Sequence, residues 1–282
     1  VQIVLYENDR TALVRQAERV ADALRCASAS AAVGELAVRY GDCGDLPSLD
    51  AAALTDIESA FDGVVKPTLT IFGANLGSGG GSNALAAEGA EDVLLVLNPD
   101  AFPAPTTIVR LLDRLGDGVA AADARQLPLE HLKQFDPETG DTSWVSGACA
   151  VFDRRAFDAV GGFDAVHFPM YCDDVDLSWR LRGAGWRTVH APEAIVVHDK
   201  RLGPHGWPVA TDAQQRSWTV AALFLYRRYD RPDLTEAMLT QLRRADAAAW
   251  ERKALEEYRD RIANDPAPGP VADVSVATFV AG

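Results

Sequence analysis

Short apolar runs alternate with stretches of helical periodicity through the first two thirds of the chain, the pattern of a sheet covered on both faces. Residues 1–6 read as a buried strand. Leu13, Ala17, Val20 and Leu24 then share one face of a helix that Asp9 or Thr11 would cap. Further strands are predicted at 36–40, 68–72 and 92–97. They run into the polar turns Gly41-Asp42-Cys43-Gly44-Asp45, Gly73-Ala74-Asn75 and Asn98-Pro99-Asp100. The fold class that follows is α/β, a mostly parallel sheet flanked by helices. Ligands of such open sheets gather beyond the carboxyl ends of the strands, so Asp42, Asn75 and Asp100 are candidate site residues.

Past Asp123 the pattern is less regular. A Pro- and Gly-containing stretch, 126–141, precedes an apolar segment at 144–152. An acidic helix is predicted at 173–182 and a strand pair at 187–190 and 194–197. Helical periodicity returns beyond Pro208, at 214–229 and 234–262. The tail, 265–282, is rich in Pro, Ala, Gly and Val and is expected to be poorly ordered.

Composition narrows the partners. With 48% hydrophobic and 24% charged residues, the 282-residue chain can bury a sizeable core. Its net charge of −14 argues against affinity built on phosphate contacts with nucleic acid, although a local basic patch would still hold one nucleotide. Cys26, Cys43, Cys149 and Cys172 form no CxxC pair, as expected of free thiols in a reducing compartment. No apolar run is long enough to cross a bilayer, and none reads as a signal segment. The expected setting is therefore cytoplasmic, or peripheral at the inner face of the plasma membrane, where the acidic balance opposes tight unaided binding to an anionic leaflet. The chain opens on Val1, directly in an apolar run, as a domain cut from a longer polypeptide would.

Three segments carry candidate chemistry. The glycine-rich stretch Asn75-Leu76-Gly77-Ser78-Gly79-Gly80-Gly81-Ser82-Asn83 lies between a strand and a helix, where backbone can approach a phosphate or a packed base. It fits neither the dinucleotide fingerprint nor a P-loop, and a plain glycine turn is the competing reading. Asn98 and Asp100 would reach the ligand edge as oxygen donors of the kind that suit Mg²⁺ or Mn²⁺ sharing diphosphate oxygens. Asn-Pro-Asp taken alone is more often a turn. The third segment combines Trp144-Val145-Ser146-Gly147-Ala148, Gly161-Gly162-Phe163-Asp164 and Asp173-Asp174-Val175-Asp176-Leu177-Ser178-Trp179-Arg180, with Gly185-Trp186 following. Three acids at a helix start are stabilised by its dipole, and mutual repulsion would raise at least one pKa toward that of a useful general base. Asp176 reads as a cap or as the partner of Arg180, one helical turn on.

In this order, over about residues 1–200, these motifs resemble the family 2 glycosyltransferases of the GT-A fold, particularly their bacterial rhamnosyltransferase-like branch. The resemblance implies a Rossmann-like GT-A domain at 1–207, with a nucleotide-binding half at about 1–123 and an acceptor half at about 124–207. A helical extension at 208–264 and the tail follow. It implies an inverting hexosyl transfer from a nucleotide diphosphate sugar, UDP- or dTDP-linked, to a hydroxyl of a glycan or lipid-linked acceptor in surface polysaccharide synthesis.

Residue by residue, the resemblance places Asp42 and Asn75 at the base or ribose, with Gly77 and Asn98 also on the donor side. Asp100 and His198 fall to the metal, Mg²⁺ or Mn²⁺; apart from the resemblance, Lys200 and Arg201, which follow His198, would meet a departing diphosphate through charge-assisted bonds. Trp144 and Gly147 fall to the acceptor. Asp174 corresponds to the base, while Asp173, where Glu is more usual, leaves open which carboxylate reaches the acceptor. Asn98 replaces a first carboxylate and Asp45 a serine of the family pattern. The other histidines, His131, His167, His190 and His205, have no supporting constellation and read as surface or satisfied structural residues. Two other function classes compete. A sugar nucleotidyltransferase needs a Gly-rich basic loop where the chain has Glu7-Asn8-Asp9-Arg10, and a non-catalytic binding module has no use for the acids.

Overall fold

The computed structural model describes residues 1–30, 33–200, 202–264, 271 and 273–279. Strand β1 (Gln2–Leu5) leads through Asp9, which accepts the Ala12 N–H at 2.8 Å, into helix α1 (Arg10–Ala29). Strand β2 (Arg39–Asp42), helix α2 (Ala51–Ala60), strand β3 (Thr68–Ile71), helix α3 (Gly77–Ala87) and strand β4 (Val93–Leu97) complete the first half. Strand β5 (Ala101–Pro103), helix α4 (Thr107–Leu112), strand β6 (Val119–Leu127), strand β7 (Cys149–Asp153) and helix α5 (Arg154–Ala159) follow. Helix α6 (Asp173–Gly183) and strand β8 (Arg187–His198) close the sheet. Helices α7 (Asp212–Arg228), α8 (Pro232–Leu242) and α9 (Ala249–Asn264) come last.

The strands form one eight-stranded sheet in the order β3-β2-β1-β4-β7-β6-β8-β5. Strands β1 to β4 are parallel, as their helical crossovers require, whereas β7 runs antiparallel to both β4 and β6. This reversal converges chain ends. The start of β7 pairs Cys149 with Leu97 at the end of β4, and β8 runs parallel to β6, so that Val197 pairs with Leu127. The antiparallel β5 sets Ala101 beside His198. Residues 98–100, 126, 146–147 and 198 therefore share one edge of the sheet.

Strand β4 shows why its run is continuously apolar: Leu95 and Leu97 enter the core with α1, and Leu94 and Val96 the opposite core with Phe157, Leu177 and Leu181. A third core joins Trp179 of α6 to Val220, Leu223 and Phe224 of α7 and to Leu255 and Tyr258 of α9. Phe279 packs edge-on against Trp179 from the tail.

Four expectations are corrected. Strand β2 starts at Arg39 and keeps Asp42 inside the strand, since Arg39 to Asp42 pair in register with Gln2 to Leu5. The glycine stretch is the first half of α3 rather than a loop before a helix. Each glycine costs about 1 kcal/mol there relative to alanine, but a Cβ on Gly81 would lie 2.7 Å from Val4 and one on Gly79 2.9 Å from Phe163. Close packing outweighs propensity. The predicted strand pair is one strand, β8, with a register shift that pairs Ala191 with Ala124 and Ile195 with Arg125, so that 192–194 loop out around Pro192. Residues 234–262 form two helices, broken where the Ala248 N–H is capped by Glu251 at 2.6 Å and the chain doubles back.

Candidate active site

The shared sheet edge carries a continuous set of hydrogen bonds. His198 Nε2 lies 3.2 Å from Asp100 Oδ1, and its Nδ1 lies 2.8 Å from Gln126 Oε1. Gln126 Nε2 donates to Ser146 Oγ at 2.9 Å, which turns the amide oxygen toward His198 and assigns the ring hydrogen to Nδ1. Backbone bonds fix the pair, from Asp199 N–H to the Asp100 carbonyl at 2.9 Å and from Asn98 N–H to the Ala148 carbonyl at 3.0 Å.

Two acceptor atoms, a carboxylate oxygen and an imidazole lone pair, thus face each other at a separation that neighbouring ligands of one cation adopt, about 3 Å for bonds of 2.0–2.2 Å at right angles. Asp100 is 51% exposed and His198 12%, so a ligand can reach them. The donor set fits a Mg²⁺ or Mn²⁺ that takes its remaining oxygens from a diphosphate. Among the described residues no cluster of three or more His, Cys, Asp or Glu side chains forms a metal cage by itself.

The acids stand at the other end of this edge. Tyr171 and Cys172 both adopt positive φ, 65° and 58°, an uncommon backbone for side-chain-bearing residues, and the turn delivers Asp173 and Asp174 into the first turn of α6. Asp174 Oδ2 accepts the Gly147 N–H at 2.9 Å and its Oδ1 the Val175 N–H at 2.8 Å. Ser178 Oγ, bonded to the Asp174 carbonyl, accepts the Val145 N–H and docks the same segment. Asp173 is buried near Gly79 of α3, and desolvation together with the Asp174 charge pushes its pKa up to about 8. Burial raises Asp174 as well, opposed by the Gly147 and Val175 N–H bonds and by the Lys133 charge.

Asp176 is fully buried and pairs with Arg180 at 2.7 Å, as its spacing suggests. Arg180 also donates to the Val160 and Gly162 carbonyls, which explains the glycine pair and the arginine as one structural unit. The second partner of Asp176 is Arg228 of α7 at 2.6 Å, which also bonds Asp164.

At the end of β2, Asp42 is fully buried, and its two oxygens accept the Gly44 and Ser48 N–H groups at 2.8 and 2.6 Å. Asn75 Oδ1 accepts the Gly77 N–H at 3.0 Å. Gly77 has φ +70° and a Cβ there would lie 2.0 Å from the Pro169 carbonyl, so this position admits only glycine. The Asn75 turn is thereby set against the chain that leads into α6. Lys200 donates to the Leu129 carbonyl at 3.2 Å, and Arg201 lies outside the described residues. Trp144 is half-buried, with the His131 ring centroid 5.5 Å away.

Sequence reasoning missed Gln126, Asp123, Lys133 and Arg228. Only Asp123 left a signal, a lone carboxylate within the small apolar run 119–124. His190, assigned no constellation, is bonded through Nδ1 to Asp123 at 2.9 Å.

Comparison with known proteins adds what the chain is similar to. The profile described as glycosyl transferase family group 2 matches residues 122–253. An N-acetylglucosaminyl-diphospho-decaprenol L-rhamnosyltransferase of Mycobacterium tuberculosis is 33% identical over a stretch covering 45% of this chain, and the match spans 57% of that relative's length. Similar folds are a mannosyltransferase from Pyrobaculum calidifontis solved with GDP-Man and Mn²⁺ (TM-score 0.54, 14% identity, 96% of this chain and 75% of that one) and GalNAc-T7 solved with UDP, GalNAc and Mn²⁺ (TM-score 0.58, 12% identity, 96% and 58%). At such identities these structures speak for the fold alone, which they share as GT-A glycosyltransferases.

Proposed function

We propose that this chain, which has the GT-A fold and is similar to the family 2 glycosyltransferases, moves a sugar from a UDP- or dTDP-sugar to a hydroxyl of a glycan or lipid-linked acceptor, with inversion. The observation that carries this reading is the unbroken path Asp100, His198, Gln126, Ser146, Gly147, Asp174, which sets a pair of metal-type donors and a candidate base on one sheet edge.

Strands β2 and β4 are separated in the sheet by β1 alone, so their ends lie about 10 Å apart at ordinary strand spacing. That span accommodates a nucleoside near Asp42 and Asn75 and a diphosphate at Asp100. Asp100 and His198 Nε2 would hold a Mg²⁺ or Mn²⁺ whose charge offsets that developing on the departing diphosphate. Lys200 and Arg201 follow His198 in sequence and would meet the same oxygens through charge-assisted bonds.

Asp174 takes the proton from the acceptor hydroxyl as that oxygen attacks the anomeric carbon opposite the leaving group. A carboxylate that accepts two N–H bonds keeps lone pairs for a further hydrogen. Asp173, protonated up to about pH 8, is the poorer base at neutral pH and the better neutral neighbour. Gly147 holds Asp174, Trp144 would meet the acceptor, and one in-line displacement inverts the sugar.

Thermal-shift titration with a panel of nucleotide sugars, with and without Mn²⁺, tests the donor side. A Mn²⁺-dependent gain with one UDP- or dTDP-sugar is expected, and Asp100→Ala is expected to abolish it. A full gain in excess chelator would remove the metal from the reading.

A further inference from the structure

Lysine is almost never fully buried unless paired. Lys133 nevertheless has a side-chain exposure of 1%, and its partner Asp123 is at 0%. It comes from the irregular segment between β6 and β7 and reaches back to Asp123 in the middle of β6, its Nζ 5.2 Å from the Trp144 ring centroid. Asp123 is saturated. Its Oδ2 accepts from Lys133 and from the Ser146 N–H at 2.7 Å, and its Oδ1 from His190 Nδ1 at 2.9 Å. The residue after Ser146 is Gly147, whose N–H holds Asp174.

We propose that Lys133 is a positioning residue for Asp174, holding a positive charge and the Ser146–Gly147 turn behind the base. The inference rests on the reading of Asp174 as that base. Packing alone gives no reason for the charge, because a buried ion pair is commonly matched or bettered by apolar residues of similar volume. What apolar residues cannot do is compensate the negative charge of Asp123 near the acids.

The groups facing Asp174 are Asp173 on its own helix, Asp123 from β6, Lys133 from the connecting segment, and the N–H groups of Gly147 and Val175. Of the charged groups from outside α6, Asp123 pushes the Asp174 carboxyl up and Lys133 pulls it down. Asp123 itself, which burial would raise, is brought below the ordinary carboxylate range by Lys133 and His190, so it stays ionised and keeps its grip on the turn.

The test is a titration of the full chain carrying ¹³Cγ-labelled aspartate, with the Asp174 resonance assigned by its loss in Asp174→Asn. Lys133→Met is expected to raise the Asp174 midpoint by about one pH unit, a tenfold change in protonation, and Lys133→Arg to restore most of it. Asp123→Asn, which keeps the lysine, is expected to move the midpoint the other way. If Lys133→Met unfolds, the Asp123→Asn shift decides the matter. An unchanged midpoint in the folded variants, or loss of folding in both, assigns Lys133 a purely structural role and overturns the proposal. Sugar transfer retained by Asp174→Asn would instead sink the base reading, and it leaves these titrations unmoved.

Discussion

At the ends of β2 and β3 the candidate ligand residues hold their own turns. Asp42 bonds to backbone two and six residues ahead, and Asn75 to backbone two residues ahead. At the start of α6 the acids are held from afar: Gly147 is 27 positions from Asp174, Val145 is 33 from Ser178, and Arg228 is 52 from Asp176. The first region is built by short stretches of chain. The second exists only once the β7 start, α6 and α7 have all docked, so its geometry depends on global packing. The helical extension is then a support for the acid-bearing helix, through Asp176, Asp164 and Trp179.

The largest effect should come from the far-held region. Asp174→Asn is nearly isosteric and removes the proton acceptor, and transfer should fall by about 10²–10⁴-fold, roughly 3–5 kcal/mol of barrier, with donor binding kept. Single-turnover transfer beside donor calorimetry checks it, and near-normal transfer would return the acids to helix capping. Next in size, Arg228→Met removes one of the two arginine partners of buried Asp176 and the arginine partner of Asp164, a loss of about 3 kcal/mol in denaturant unfolding, with Arg180 still on Asp176. Away from both regions, Arg10→Met at the start of α1 opens exposed pairs with Asp50 and Asp56, Arg10 being 43% exposed, and should leave the denaturant midpoint almost unchanged. Equal losses would erase the distinction between the buried and the exposed pairs.

The same distinction decides what was legible in the sequence. The βαβ order, the strand-end turns and the Asp176–Arg180 pair are short-range patterns, and they read directly from periodicity and spacing. The β2 boundary slipped because residues 36–40 are apolar enough to pass for a strand, whereas pairing with β1 selects Arg39–Asp42. The glycines of α3 misled because the reason for them lies on β1 and in the Gly-Gly-Phe-Asp turn, far along the chain. Lys133 and Gln126 sit in a segment without periodicity, and only the converging ends of β6, β7 and β8 give them their partners. Arg228 lies in the predicted 214–229 helix, where nothing local points to its partners Asp176 and Asp164.

A pH-dependent effect sharpens the comparison further. Folded Asp173 keeps its proton to about pH 8, while an unfolded aspartate loses it near pH 4, so the folded state binds more protons between these values. Stability from this group therefore falls as pH rises through that window, and the loss is complete above it. Asp173→Asn should match the parent at pH 4 and gain on the order of 1 kcal/mol by pH 8, less than an unrelaxed site would give because buried charges admit water. Denaturant midpoints at the two pH values measure it, and a parallel offset at both would mean that Asp173 is not held protonated. No comparable slope is expected from Asn75→Ala.

Asn75→Ala should give a small change in stability, because the bond it removes is a local one at an exposed helix start. Loss of such a local hydrogen bond costs about 0.5–1.5 kcal/mol, and here Gly77 and the Pro169 carbonyl still fix the turn through the Ser78 N–H at 2.9 Å. The informative partner is Asn75→Asp. A carboxylate keeps the acceptor for the Gly77 N–H and is favoured by the dipole at the start of α3, so stability should equal or exceed that of the parent. It also removes the amide N–H₂ and adds a charge where a nucleotide would sit. If Asn75 serves the nucleotide, donor affinity in calorimetry should drop in both variants, and more in Asn75→Asp despite its sounder fold. Unchanged affinity in both would reduce Asn75 to the turn it caps, and the nucleotide side of the site would then rest on Asp42 and the backbone around it.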